Sequence, residues 1–501
     1  MKRRSAIALG ISGAVAAGGG GLLAHGWAEA KLDTFGRIDF DTPLAIPPLA
    51  ESTVDSSGVR IFDLEIQGGQ TRFKDGPATD TWGFNRSYLG PTIRAERGES
   101  IAFAIGNSLD EATSVHWHGM HLPAVMDGGP HQAVAPGETW TPQWTVNQQA
   151  ATLWYHPHPH GQTAEHVYRG LAGMFIIDDD ASEAVPLPKT YGVDDVPVIV
   201  QDRKFDGDNQ FDHSSSVLAQ LGVTGDDLIV NGTMGAYFEV TTELVRLRLL
   251  NGSGARLYHF GFADDRPFSL IGTDGGLLPE AWETNRLLLS PGERAEIVVA
   301  FTPGETVELR SYPAEHGGAL GRFDGFEDRL DLLQFRAADS LTGGTSIPAA
   351  MGSEPDLGSA DVVEERSFSL GGDKINGEPM DMDRIDFGVR EGTVEVWNVV
   401  NDNGYLHNFH VHDVQFQVLT IDGEAPPPHL RGWKDTVLLI PESEYRLALR
   451  FSEYTDPNMP YMFHCHFLMH EDAGMMGQFV VLREGEEVGG VPEAVAAHDH
   501  H

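Results

Sequence analysis

GPTIRAERGESIAFAIGNSLDEATSVHWHG (90–119), VNGTMGAYFEVTTELVRLRLLNGSGARLYHFGF (230–262) and INGEPMDMDRIDFGVREGTVEVWNVVNDNGYLHNFHVH (375–412) are three copies of one plan. Each runs turn, strand, polar turn, alternating strand, Asn-containing turn, strand. A second shared unit follows each copy: PGETWTPQWTV (136–146), PGERAEIVVAF (291–301) and PESEYRLALRF (441–451). Starts about 140–150 residues apart mark homologous domains rather than a short-period solenoid. Val245, Leu247 and Leu249 alternate with polar residues, the period of a half-buried strand. Short strands bounded by Gly, Pro and Asn turns predict an all-β chain of three consecutive Greek-key β-sandwiches. The spans are 45–180, 197–338 and 367–484, with Pro- and acid-rich linkers at 181–196 and 339–366 and a tail at 485–501.

The copies differ in their histidines. The first and third carry His-x-His where the middle has Tyr258-His259-Phe260, so His259 reads as a structural histidine. Four such pairs fall in the outer domains at the copied strands: His116/His118, His156/His158, His410/His412 and His464/His466. On a strand, residues i and i+2 leave one face about 7 Å apart, close enough for two imidazoles to reach neighbouring ions of a cluster. One pair is expected by chance from 22 histidines; four pairs, two from each outer domain, are not. Eight imidazoles fit three copper ions at two to three ligands each.

The last pair straddles the chain's single cysteine in HCHFLMHEDAGMM (464–476). Alternation turns Cys465 away from His464 and His466, towards His470 and the His407 of HNFHVH. Thiolate, two imidazoles and a weak thioether, Met475, make the ligand set of a blue copper centre. Met476 is adjacent, and spacing favours Met475. HPHPHG offers His156, His158 and His160 as ligands.

Composition sets limits. One cysteine excludes an internal disulfide, and 58 Gly with 29 Pro fit a turn-rich globular protein. A formal charge of −40 excludes nucleic acid as a partner and reads as a solvated surface. The N-terminus places Arg3 and Arg4 before an apolar, Gly-rich run ending in Ala28-Glu29-Ala30. That pattern predicts an export signal of the Tat type, cleaved after Ala30, with the Tat machinery as partner and a periplasmic or extracellular location. The rival is an uncleaved anchor, against which the glycines and the short run argue.

With HWHG (116–119), WYHPH (154–158), HNFHVH (407–412), HCHFLMHEDAGMM (464–476) and the phrase GWKDT (432–436), the chain resembles three-domain multicopper oxidases, including bacterial copper-efflux oxidases and spore-coat laccases. The resemblance implies cupredoxin-like domains and four copper ions. Type 1 copper would take His407, Cys465, His470 and Met475, and type 2 would take His116 and His410. The type 3 pair would take His118, His156 and His466 on one ion, and His158, His412 and His464 on the other. It leaves His160 without a ligand role. It also assigns proton-handling roles to Asp127, in VMDGGPH, and to Glu471 after His470. The implied reaction takes single electrons from a small reducing substrate and reduces O2 to water.

The substrate is read from departures. Copper-efflux oxidases carry a Met- and His-rich insert, but 339–366 holds one methionine, Met351, and no histidine. Asn403 and Tyr405 stand where Asp and Met would be expected, and Met380 and Met382 read as core residues of a strand. The expectation is therefore a laccase-like oxidase of phenols and other aromatic donors, with a cuprous oxidase as the alternative. Family members that lost their ligands and act in cell division fit less well, since every ligand position is filled here. A copper carrier using the HDHH end (498–501) and a copper nitrite reductase also fit less well.

Overall fold

A computed structural model describes residues 31–315, 320–343, 346–353 and 355–491. The export segment 1–30 and the HDHH end lie outside the described residues.

Six sheets pair into three sandwiches along the chain. In the first, strands Arg60–Thr71 and Ser100–Asn107 pack against a sheet containing His116–His118 and Ala151–His156. Ser100–Asn107 shows why: Ile101, Phe103 and Ile105 alternate inward and meet Trp117 and Tyr155 in one core. The same pairings recur in each copy. Arg60–Thr71 runs parallel to Ser100–Asn107, Asp195–Arg203 to Leu244–Asn251, and Val362–Leu370 to Val394–Asn401. Strands of the second shared unit, Gln143–Thr145, Arg294–Ala300 and Glu444–Arg450, each add antiparallel to that partner.

Two expectations change. Leu244–Asn251 was expected half-buried, yet residues 245–251 are all buried. Arg246 and Arg248 point away from the middle core and are neutralised by Glu296 and Asp195. On the same side Leu250 and Ile199 pack on Trp154, Met174 and Ile176 of the first sandwich. The linkers are also more ordered than their composition implies. Asp180–Ala184 is a short helix capped by Asp179, and Asp195–Arg203 begins inside the first stretch. Leu330–Thr342 and Val362–Leu370 extend into the second, where Leu357 packs on Val394, Val396 and Ala448. Ahead of the first sandwich, Thr42–Pro43 pairs with Ala236–Tyr237 of the middle one. Among the described residues no helix is long and apolar enough to cross a membrane.

Candidate metal centre

The His-bearing strands of the outer sandwiches meet face to face. His116–His118 pairs with Ala151–His156 so that His116 lies opposite His156. His407–Val411 pairs with Tyr461–His464 so that His410 lies opposite His464. The corresponding middle pair sets Phe260 against Ser311, and His259 donates its ring N–H to the Pro313 carbonyl. Eight buried imidazoles thereby collect between the first and third sandwiches.

For six of the eight, hydrogen bonds decide which nitrogen points inward. His116 Nδ1 donates to the Asp127 carbonyl (3.0 Å), and His410 Nδ1 to the Asp435 carbonyl (2.9 Å). His412 Nδ1 donates to Asp127 Oδ2 (2.7 Å), and His156 Nδ1 to the Pro157 carbonyl (2.8 Å). His464 Nδ1 donates to the Cys465 carbonyl (3.1 Å), while His118 is reversed and donates through Nε2 to Asp435 Oδ1 (3.0 Å). An imidazole whose N–H is committed outward presents a bare lone pair inward. Those lone pairs converge, together with Nε2 of His158 and of His466, whose Nδ1 atoms have no hydrogen-bond partner. His464 Nε2 lies 3.1 Å from His158 Nε2 and 3.2 Å from His412 Nε2. His156 Nε2 lies 3.4 Å from both His118 Nδ1 and His466 Nε2. His116 Nε2 and His410 Nε2 are buried with no hydrogen-bond partner. Burial drives His118, His156, His410 and His412 well below the usual imidazole range and His158 and His466 down to about 3. Neutral rings with facing lone pairs repel one another unless a cation lies between them, so the donor set fits metal ions.

A second cluster sits behind Cys465. Its Sγ lies 3.6 Å from His407 Nδ1 and 3.6 Å from His470 Nδ1, all three residues being buried. Met475 joins Cys465 in the core, whereas Met476 turns aside to pack with Met380 and Met462. Burial pushes the Cys465 thiol up to about 12, so a thiolate there needs a cation beside it. Asn408 accepts from the thiol and from His466 N–H, tying the two clusters together. His407 Nε2 meets the Asn403 amide at 2.6 Å, and the half-exposed Tyr405 ring lies 5.0 Å from His407. His470 Nε2 donates to the Gln220 carbonyl of the middle sandwich (2.7 Å).

Both expected acids are at the larger cluster. Asp127 precedes Gly128, whose φ of +77° and contact with the Val115 carbonyl leave no room for a side chain. Its Oδ2 accepts from His412, while Oδ1 has no hydrogen bond and lies 3.4 Å from His116 Nδ1. Glu471 sits on the helix Leu468–Asp472 with its oxygens 3.5 Å from His158 Nδ1 and 3.3 Å from His464 Nδ1. His160 is exposed, outside both clusters. Met380 and Met382 lie in a loop rather than a strand, but they do pack as core, as does Met351. Sequence reasoning gave no role to Asp435, Thr436, Asn408 or Gln220. Asp435 and Thr436 were visible inside GWKDT; Gln220 carried no signal, its partner lying 250 residues away.

The multicopper oxidase family models match residues 65–182 and 353–485. The multicopper oxidase mco of Staphylococcus haemolyticus is 36% identical over 444 residues, covering 87% of this chain and 92% of the relative. The cell division protein FtsP of Shigella dysenteriae is 36% identical over 448 residues, covering 88% and 92%. The solved laccase-like multicopper oxidase of Ochrobactrum sp., described as having oxidase activity towards lignin model compounds and lignosulfonate, superposes with a TM-score of 0.78. It is 36% identical, with 88% of this chain and 100% of that chain covered. Its likeness makes the three sandwiches cupredoxin-like. The chain belongs to the multicopper oxidase family, copper-dependent oxidoreductases that take electrons from a reducing substrate and pass them to O2.

Proposed function

We propose that this chain is a laccase-like oxidase of phenolic and other aromatic donors, with four copper ions. His407, Cys465, His470 and Met475 hold type 1 copper, and His116 and His410 hold type 2. His118, His156 and His466 hold one type 3 ion, and His158, His412 and His464 the other. Two features support these groupings: the convergence of the inward lone pairs, and the two unpartnered Nε2 atoms of His116 and His410. Copper held there supplies one-electron oxidation of the donor and four-electron reduction of O2 to water.

The chain's own groups do the rest. Cys465 is bonded through the backbone to His464 and His466, giving a covalent path between the clusters. Asp127 Oδ2 fixes His412 by accepting a hydrogen bond from its Nδ1–H. Glu471, with two unpartnered oxygens beside His158 and His464, is placed to deliver protons that O2 reduction consumes.

The edge of His407 carries the choice of donor. Tyr405 and Asn403 offer an aromatic face and an amide there, partners for a ring with a hydroxyl or amino group. A cuprous ion would find no thioether in either residue. The lignin-model activity of the Ochrobactrum relative runs the same way. The FtsP relatives raise a second reading, a structural role in division, against which the complete set of buried donors stands. We further propose Tat export to the periplasm or exterior through Arg3 and Arg4. Oxygen uptake decides the donor: a phenol should support turnover with a copper chelator present, and turnover by Cu(I) alone would overturn the reading.

A further inference from the structure

The middle sandwich brings no histidine to the copper clusters, yet it presses on them. The Pro291–Gly292–Glu293 turn lies against His466, where a Cβ on Gly292 would stand 3.1 Å from the ring. The next residue is Arg294, where the other copies of this unit have Thr139 and Glu444. Arg294 is fully buried where all three sandwiches meet. Its Nε donates to the Thr152 carbonyl of the first sandwich (3.0 Å). Nη1 donates to the Gly292 carbonyl (3.1 Å) and Asp435 Oδ1 (2.7 Å). Nη2 donates to the Asp274 carbonyl (3.2 Å) and Asp435 Oδ2 (2.6 Å). A guanidinium has five N–H donors, and these bonds engage all of them.

Asp435 is the point of application. Its Oδ1 also accepts from His118 Nε2 (3.0 Å) and Thr436 Oγ1 (2.9 Å), and its carbonyl from His410 Nδ1 (2.9 Å). Asp435, with Thr436 Oγ1 at 3.1 Å from the same two nitrogens, thus sets which nitrogen of His118 and of His410 faces inward, and their rings stack at 3.8 Å. A carboxylate held by a bidentate fork cannot turn its oxygens away from His118.

We propose that Arg294 is a positioning residue for the trinuclear copper site: by clamping Asp435 it fixes the His118 tautomer that presents Nδ1, and the middle sandwich contributes to copper binding without contributing a ligand. The inference rests on the ligand reading above. Lysine cannot replace the fork, because a point charge has no planar pair of donors. In Asp435→Asn the amide would set N–H against an Arg294 N–H, turn, and release His118.

The test compares copper retention in wild type, Arg294→Lys, Arg294→Met, Asp435→Asn and, as a control for a lost ion pair in the other sheet of the same sandwich, Arg310→Met. Each is copper-loaded and challenged with a chelator, following total copper, the type 2 EPR signal and the blue absorption. The Arg294 and Asp435 variants should keep the blue absorption and hold trinuclear copper about 10–100-fold more weakly, while Arg310→Met behaves as wild type. If they merely melt at lower temperature, with copper content and EPR signal unchanged, Arg294 is structural and the proposal falls. Should Arg294→Met fail to fold, Arg294→Lys and Asp435→Asn carry the decision. Wild type lacking a type 2 signal would instead overturn the ligand reading.

Discussion

Cys465 is held without solvent, and burial pushes its thiol from the ordinary range up to about 12, so it stays protonated when no cation is beside it. Metal uptake there must therefore release a proton. Cys465→Ser keeps the volume and removes the soft ligand. It should abolish blue absorption and oxidase activity while shifting stability by no more than about 2 kcal/mol, as read by absorption, oxygen uptake and thermal melting. Full colour in that variant would exclude Cys465 as a type 1 ligand. Glu471→Gln keeps the shape of the side chain and removes its acid. Oxygen turnover should fall about 100-fold or more, while bleaching of the blue colour by donor without O2 stays at the wild-type rate. Unchanged oxygen turnover would remove Glu471 from proton delivery. At this scale the histidines were legible because strand alternation is a local rule. Asp435 stood in the GWKDT phrase, but its role was not legible, because the ring that gives it meaning lies 317 residues earlier. Arg294 showed only as a departure from its sister copies.

Among the elements, the segment ending at Gly222 matters most, since its Gln220 carbonyl covers His470. Asp324 Oδ1 fixes it by accepting from Gln220 N (2.7 Å) and Leu221 N (2.9 Å). Burial pushes the Asp324 carboxyl up to about 6, against the pull of those two donors. An unfolded aspartate titrates near 4, so the folded state binds the proton more tightly. The stabilisation is complete below about pH 4 and is lost as pH rises through about 6, amounting to about 2–3 kcal/mol. Asp324→Asn keeps one acceptor for both N–H groups and carries no charge. The melting temperature of wild type should thus fall relative to Asp324→Asn between pH 4 and 7, and parallel curves would show that Asp324 does not titrate there. Strands and turns of the three copies were legible from their shared phrases. The order within the acid-rich stretches was not, since Leu357 finds its partners on strands about 40 and 90 residues further on, contacts composition cannot show.

At the scale of the molecule, the repeat count and the partition of histidines were readable because both are statements about copies of one plan. What the copies do to one another was not. The middle sandwich, which reads as the idle one, buries its arginines at the junction and supplies a carbonyl to His470. On the proposed ligand sets copper bridges the outer sandwiches and binds the folded chain only, so removing it should lower the melting temperature. The effect corresponds to about 4 kcal/mol at a thousandfold excess over the dissociation constant, and calorimetry of chelator-stripped protein checks it.

The two clusters also differ in how many sandwiches supply their donor residues. His407, Cys465, His470 and Met475 belong to one continuous body, whereas the eight-histidine cluster exists only while two bodies stay pressed together. Gentle heating should therefore separate the two losses in time, with oxygen consumption failing while the solution is still blue. Following absorbance and an oxygen electrode on one slow temperature ramp would reveal the interval, and simultaneous loss would mean that the sandwiches come apart as a unit. In that interval the protein would still accept electrons and have nowhere to send them.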